Sequence, residues 1–365
     1  MVTEEDFLML RLQSHLLSNH KKINDNSWLI QHYGCIQAQD KNQAQRCIAS
    51  RLEWCTLSDI TKAISNKEIV RSRPMRGTLH YIDPSCIHWI LDLCASKTLS
   101  WFKKRREFLW ISDQDAERSL AIIDNALRGW KILTRSQLWY ILQESWIPMQ
   151  TQRLYHLTCY AATHKLICFW PKDGKEDSFV LLNEWIPKTH TITYDEQLAQ
   201  LARMYIRSHG PCTSDDLHRR CGLWKTICKE AIRSILSELC TIDYNDKEYY
   251  YYDQWLTIDH NDIPWFLLLW WFDEYFLWYK DRSFITNREY INQYYTKNWI
   301  FFPLIVYNGK VVGTRNRQIK KSSIHVDVVI RDNSLSIKDN IWLEYNIEQY
   351  IRYLWFSSYT YHVTR

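Results

Sequence analysis

DEQLAQLARMYIRSHGPCTSDDLHRRCGLWKTICKEAIRSILSELCTIDYNDKEYYYY, residues 195–252, decides how the rest of the chain is read. Its first fifteen residues carry apolar side chains at helical spacing, and Thr213 stands where an N-cap belongs, ahead of SDDLHRRC. KTICKEAIRSILSEL repeats the helical spacing. TIDY and YYYY then flank Asn245-Asp246 and read as a two-stranded ribbon. The order is helix, helix, helix, hairpin.

The preceding segment has the same order. DQDAERSLAIIDNALRGW (113–130) is helical, Thr134 caps RSQLWYIL, TQRLYHLTCYAATH (151–164) is a third helix, and LICFW and SFVLL flank a polar turn. The two capping threonines lie 79 residues apart and the two ribbons begin 75 apart, at Leu166 and Thr241. A repeat of that length is the size of a winged-helix module. The N-terminal region fits a third copy. EEDFLMLRLQSHLL, SWLIQHYG and KNQAQRCIASRLE supply its helices, LSDITKAI is an additional helix, and EIVRSRPMRGTLHYI is the ribbon. Beyond residue 260 the pattern changes to alternating strands around Asn308-Gly309, a strong hairpin signal. The expected fold is α+β, with three tandem winged-helix (helix-turn-helix) modules and a small C-terminal β-rich domain. The boundaries expected are 3–90, 91–190, 191–260, an aromatic connector 261–283, and 284–365.

Composition narrows the class. The 365 residues carry a formal charge of +5, with 46% hydrophobic and 24% charged residues, as in a soluble globular protein. Only 8 Gly and 8 Pro argue against long linkers and a Gly-rich nucleotide fold. With 19 Trp and 23 Tyr, part of the aromatic load is expected to line surfaces or grooves. The basic residues gather in three clusters, Arg71/Arg73/Arg76, the run 103–106, and Arg315/Arg317/Lys320/Lys321, which are either solvated faces or polyphosphate contacts. Eleven cysteines include no C-x-x-C pair and no zinc spacing, so they read as buried thiols in a reducing compartment, and no metal or cofactor is expected. The N-terminus lacks a signal-peptide layout, and the apolar run 265–272 is too short to span a bilayer. A cytoplasmic, nucleoid-associated monomer is expected.

One short stretch is unusual. In HYGCIQAQDKNQAQ, Asp40 stands at an N-cap with Gln43 three residues on, and Ala44, Cys47, Ile48 and Leu52 form the buried face of the following helix. Gln37 and Gln39 precede that helix and, if extended, project to one side. Spacing alone favours carboxamides that satisfy loop backbone groups. The other reading is a pair of amides that hold a water or a phosphate backbone at a helix N-terminus.

QAQD, the helix ending in ASRLE, RGTLHYI (76–82), FDEYFLWYKDR (272–282) and VYNGKVVGTRNR (306–317) occur in that order, and together they resemble the AlkZ/AlkX (YcaQ) family of bacterial winged-helix DNA glycosylases. The blocks run from residue 34 to 317, so the resemblance covers most of the chain. It implies excision of N7-alkylated purines and unhooking of interstrand crosslinks in double-stranded DNA, for repair or genotoxin self-resistance. Gln37-Ala38-Gln39 is similar to the glutamine–aliphatic–glutamine motif of the AlkZ branch, which implies Gln37 and Gln39 as catalytic residues. The Asn308-Gly309 hairpin resembles the family's DNA-probing hairpin, with Lys310, Arg315 and Arg317 as phosphate contacts and Arg76 and His80 as DNA contacts in the first ribbon. Arg315 stands where Trp is expected, and Trp278 replaces a small residue. Asp273, Tyr275 and Arg282 are expected to brace the third module against the β-rich domain. No lysine closely precedes the motif, so a monofunctional enzyme without a Schiff base is expected. The rival reading is a non-catalytic winged-helix regulator of transcription.

Overall fold

A computed structural model describes residues 3–18, 25–53, 55–150, 152–170, 176–188, 190–252, 266–297, 300–331, 337–354 and 356–364. Part of the expected connector, 261–265, and most of the polar turn after LICFW lie outside the described residues.

One element order occurs three times: helix, short strand or bridge, two helices, ribbon. An extra helix, α1 (Glu4–Ser14), precedes the first set. That set is α2 (Asn26–Tyr33), β1 (Cys35–Gln37), α3 (Lys41–Ala49), α4 (Leu57–Ser65), β2 (Val70–Met75) and β3 (Thr78–Ile82). A long helix, α5 (Ile87–Phe108), leads to α6 (Asp113–Leu127), β4 (Leu133–Thr134), α7 (Arg135–Glu144), α8 (Arg153–Thr163), β5 (Ile167–Phe169) and β6 (Ser178–Leu181). After a single turn, α9 (Leu182–Trp185), come α10 (Tyr194–His209), α11 (Ser214–Cys221), α12 (Lys225–Arg233), β7 (Cys240–Tyr244) and β8 (Lys247–Tyr251), with Cys212 bridging to Tyr250 in the strand position.

Thr134 and Thr213 cap α7 and α11 with complete capping boxes, as their spacing predicts. In the first set the helices are displaced by one from the sequence expectation. LSDITKAI is the last helix of the set, not an addition to it, and α1 is the extra element. The reason is β1, a strand hidden in what reads as a loop.

The first two ribbons form one six-stranded sheet in the order β1-β3-β2-β5-β6-β4, joined where Arg71 opposes Phe169. The third ribbon, β7–β8, is separate. A five-stranded sheet follows, built from β9 (Phe266–Leu268), β10 (Leu304–Tyr307), β11 (Lys310–Ile319), β12 (Ser323–Ile330) and β13 (Ser358–Thr364) in the order β13-β12-β11-β10-β9. Residues 266–268, read in the sequence as connector, are thus the edge strand of this sheet. β12 and β13 run parallel, which requires a crossover, and α14 (Ile337–Tyr353) provides it. Val326, Val328, Leu343, Ile347 and Ile351 are almost fully buried between sheet and helix. A short helix, α13 (Glu274–Leu277), lies in the FDEYFLWYKDR block and is wholly buried.

Candidate active site

β1 pairs antiparallel with β3, Gln37 opposite His80. The Ala38 N–H donates to the Leu79 carbonyl at 2.7 Å, and the Asp83 N–H donates to the Gly34 carbonyl at 3.0 Å. These bonds make 38/79 and 34/83 the hydrogen-bonded pairs of the ladder. Gln37/His80 is therefore a non-hydrogen-bonded pair, the narrow kind, in which side chains come closest. It follows that the backbone groups of Cys35 and Gln37 point away from β3, to the open edge of the sheet.

An exposed edge is a liability, and here it is closed by a buried ion pair. Glu274 Oε1 accepts the Gln37 N–H at 2.5 Å, while Arg220 donates to the Cys35 carbonyl. Glu274 Oε2 pairs with Arg220 and lies 3.3 Å from His209 Nε2. Burial opposes the Arg220 charge, but the Glu274 carboxylate outweighs it and the guanidinium pKa is raised. Residues 35, 37, 220 and 274 thus fix the strand that carries the first glutamine.

The Gln37 residue is 8% exposed, and among the described residues no hydrogen bond takes up its carboxamide. Gln39 is exposed, and its Oε1 accepts the Leu79 N–H at 3.3 Å. Asp40 caps α3 by accepting the Gln43 N–H at 3.0 Å. The two amides therefore differ. Gln39 is bonded to the backbone, in the manner of a loop residue, whereas Gln37 is held by its main chain with its amide unspent.

His80 is 0% exposed, so it is not placed to touch DNA directly, contrary to the sequence expectation. Its Nδ1 lies 3.0 Å from the Thr78 carbonyl, and burial pushes its pKa down to about 4, helped by the Arg220 charge. Trp278 stacks on it at 6.3 Å and 24°. Arg76 lies 5.9 Å from the other ring system of this stack, that of Trp278. Arg76 is exposed at the β2–β3 turn and borders a cleft of about 640 Å³ with Lys97, Arg219, Lys225 and Lys280. It is the Arg of its cluster that faces solvent. Arg71 and Arg73 are buried and bonded to Asp177, the Ala38 carbonyl, the Gly77 carbonyl and Tyr155.

The C-terminal candidates are placed differently from expectation. The Asn308-Gly309 tip is docked inward: Tyr275 donates to the Gly309 carbonyl at 2.6 Å, and a Cβ at Gly309 would meet Leu8 at 3.3 Å. Lys310 pairs with Glu4 at 2.6 Å. Arg315 is 3% exposed, lies 3.9 Å over the Tyr350 ring, and donates to the Leu269 carbonyl at 2.8 Å. Burial lowers its pKa to about 10. A buried guanidinium spent on ring and carbonyl is not a phosphate contact. Arg317 is half-buried and donates to the Tyr350 hydroxyl at 3.0 Å. The turn that does project is the next one, β11–β12, where residues 318–322 are all exposed and include Lys320 and Lys321.

Asp273 holds the first set of elements, and Tyr275, through its bond to Gly309, holds the C-terminal sheet. Asp273 takes Arg51 in a two-pronged pair at 2.6 and 3.0 Å, with side chains 1% and 0% exposed. Arg51 also donates to the His15 carbonyl and to Tyr33. Arg282 turns back on the Phe276 and Leu277 carbonyls within its own block. Sequence reasoning missed Glu274 and Arg220. Glu274 was in view within FDEYF, but nothing in Arg220's surroundings distinguishes it from other helical arginines.

Among the described residues, no group of three or more His, Cys, Asp or Glu is arranged to hold a metal ion. No described helix is long and apolar enough to cross a membrane. The family model for "DNA glycosylase AlkZ-like" matches residues 30–331. No curated protein matches the sequence. Among solved structures, the Streptomyces sahachiroi DNA glycosylase AlkZ is similar, with a TM-score of 0.78, 19% identity, and 99% of each chain covered. The match spans both the glutamine-bearing strand and the block that clamps it, and the chain belongs to the AlkZ-like family of DNA glycosylases.

Proposed function

We propose that this glycosylase hydrolyses the N-glycosidic bond of N7-alkylated purines in duplex DNA, including purines tied in interstrand crosslinks, and acts as a monofunctional enzyme. The observation that carries the reading is the Gln37 carboxamide, unspent on an edge strand held by a buried ion pair. Alkylation at N7 gives the purine a positive charge, so the base leaves neutral as it takes the C1′–N9 electron pair. No strong general acid is required. The sugar becomes oxocarbenium-like, and a fixed amide dipole with its oxygen toward C1′ stabilises that charge without being consumed. Water adds to C1′ and its proton passes to solvent. Gln37 faces the sugar and the water, and Gln39 orients the same water from the next outward position.

The three repeated element sets serve as winged-helix modules, at about residues 3–90, 91–190 and 191–260, that present a basic surface to a monomer's DNA substrate. Residues 284–365 form the C-terminal β-rich domain, which the strand 266–268 joins. Arg76 and the β11–β12 turn contact phosphate, and Arg317 lies beside that path. A crosslinked base is tethered to the opposite strand and is hard to flip fully, which suits an open cleft better than a closed pocket. The protein acts at the nucleoid in the cytoplasm.

The test is abasic-site formation on duplexes carrying N7-methylguanine or a nitrogen-mustard crosslink. Wild type releases base, and Gln37→Ala/Gln39→Ala loses roughly 10²–10³-fold. Full activity in the double variant would move the chemistry elsewhere. Borohydride trapping yields no covalent adduct, and a trapped adduct would overturn the monofunctional mechanism.

A further inference from the structure

His80 is completely buried, yet its Nε2 has no hydrogen-bond partner. Thr78 presents a carbonyl oxygen to Nδ1, and a carbonyl only accepts, so Nδ1 carries the proton. The ring is neutral, which leaves Nε2 as a lone-pair acceptor without a donor. An orphan of this kind is costly unless a donor reaches it in the working state.

Two residues flank His80 across the sheet. Ser72 opposes it on β2 and Gln37 opposes it on β1. All three side chains lie on one face, because directly paired residues share a face. Since His80 spends no backbone bonds on β1, its ladder bonds go to β2, so Ser72/His80 is the wide pair and Gln37/His80 the narrow one, with Cα atoms about 4.5 Å apart. Ser72 Oγ is likewise buried without a partner across the wide pair, whereas the Gln37 carboxamide stands across the narrow pair, where side chains come closest.

We propose that His80 is a positioning residue: its Nε2 accepts an N–H from the Gln37 carboxamide and so holds that amide with its oxygen, not its nitrogen, toward the sugar. The proposal rests on the glycosylase reading above. An amide turned the other way would aim a donor at a developing cation and raise the barrier. The charges that act on His80 are those of Arg220 from α11, Glu274 from α13 and Arg73 from β2, with Ser72 opposite it on β2 and Trp278 stacked on the ring. Protonation of Nε2 abolishes the acceptor. The effect sets in as pH falls toward about 4.

Single-turnover base release on an N7-methylguanine duplex tests this with His80→Ala, His80→Gln, Ser72→Ala, and Gln37→Ala with and without His80→Ala. His80→Ala lowers the maximal single-turnover rate by roughly 10²-fold with the half-saturating enzyme concentration unchanged. His80→Gln, whose amide oxygen can accept in the place of Nε2, recovers most of the loss and removes the acid limb near pH 4. Ser72→Ala keeps its activity, and His80→Ala adds less than about twofold to Gln37→Ala. An equal loss from His80→Ala in both backgrounds, or a loss from His80→Gln as large as from His80→Ala, overturns the proposal. A second arm needs no turnover: the ¹⁵N shift of His80 Nε2 in folded protein moves on Gln37→Ala if the two groups meet, and stays if they do not. Failure of wild type to release any base would sink the glycosylase substrate reading, while the nuclear magnetic resonance arm still decides the contact.

Discussion

Arg51 and Asp273 lie 222 positions apart in sequence and meet with essentially no exposure to solvent. Burial disfavours the guanidinium charge, but the Asp273 carboxylate more than restores it and the Arg51 pKa is raised. Removing one partner leaves the other charge buried alone. Asp273→Ala is therefore expected to cost about 3–5 kcal/mol by urea denaturation. A replacement of both residues by apolar side chains of similar volume is expected to cost less than the single change. If Asp273→Ala falls within about 0.5 kcal/mol of wild type, the pair is not the brace described. At this scale the sequence was informative about polarity and uninformative about partners. The sequence expectation set Gln37 and Gln39 on one side of an extended chain, but Gln37 ends β1 and is buried, whereas Gln39 is exposed and its bonding depends on Leu79, forty residues away.

At the scale of elements, the two C-terminal hairpin turns are exposed differently from the sequence expectation. Asn308-Gly309 is the stronger turn signal, and both residues have the positive φ it requires, at 46° and 79°. Turn chemistry says how the chain reverses, not which way the tip faces. The tip packs on α1, and the β11–β12 turn projects instead. Lys320→Ala/Lys321→Ala is accordingly expected to weaken duplex binding and to reduce the slope of log affinity against log salt by about 1 per lost phosphate contact. Lys310→Ala, which removes an ion pair to Glu4, leaves that slope unchanged. Salt titration by fluorescence anisotropy separates the two, and an equal effect from both would return the DNA-facing role to the first turn. β1 is the second case. Three residues followed by a capped helix give no period long enough to read, so the strand emerges only when β3 pairs with it.

For the whole molecule, the buried histidines sit where separate element sets meet. His15 donates from Nε2 to Tyr279, which in turn donates to the His209 carbonyl, and this chain of bonds links α1, α10 and the FDEYFLWYKDR block. Burial lowers the pKa of His15 and His209 well below the ordinary value, and pushes His32 and His80 down to about 4. A histidine neutral when folded takes up its proton more readily when unfolded, near pH 6.5. Stability is thus fully present above about pH 6.5 and falls as pH drops toward 4, by about 2 kcal/mol per such histidine at pH 5. Thermal melts between pH 7.5 and 5 check this, and a flat or rising Tm across that window would contradict the buried neutral state. The fusion of two ribbons into one sheet through Arg71 and Phe169, and the closing of its open edge by Glu274 and Arg220, belong to this scale too.

Sequence by itself determined the local matters: the repeated helix-and-ribbon order, the capping threonines at 134 and 213, the alternation of residues 323–330, and the presence of an unusual glutamine pair at a helix start. Each follows from periods and side-chain bonds spanning a few residues, and such signals survive without knowledge of the fold. Only the tertiary structure decided which cations face solvent, which hairpin projects, that His80 is buried opposite Gln37, and that residues 220 and 274 hold the glutamine-bearing strand β1. Those outcomes depend on desolvation and on pairings between segments up to 237 residues apart. Their energy lies in burial and charge neutralisation, which no local spacing records.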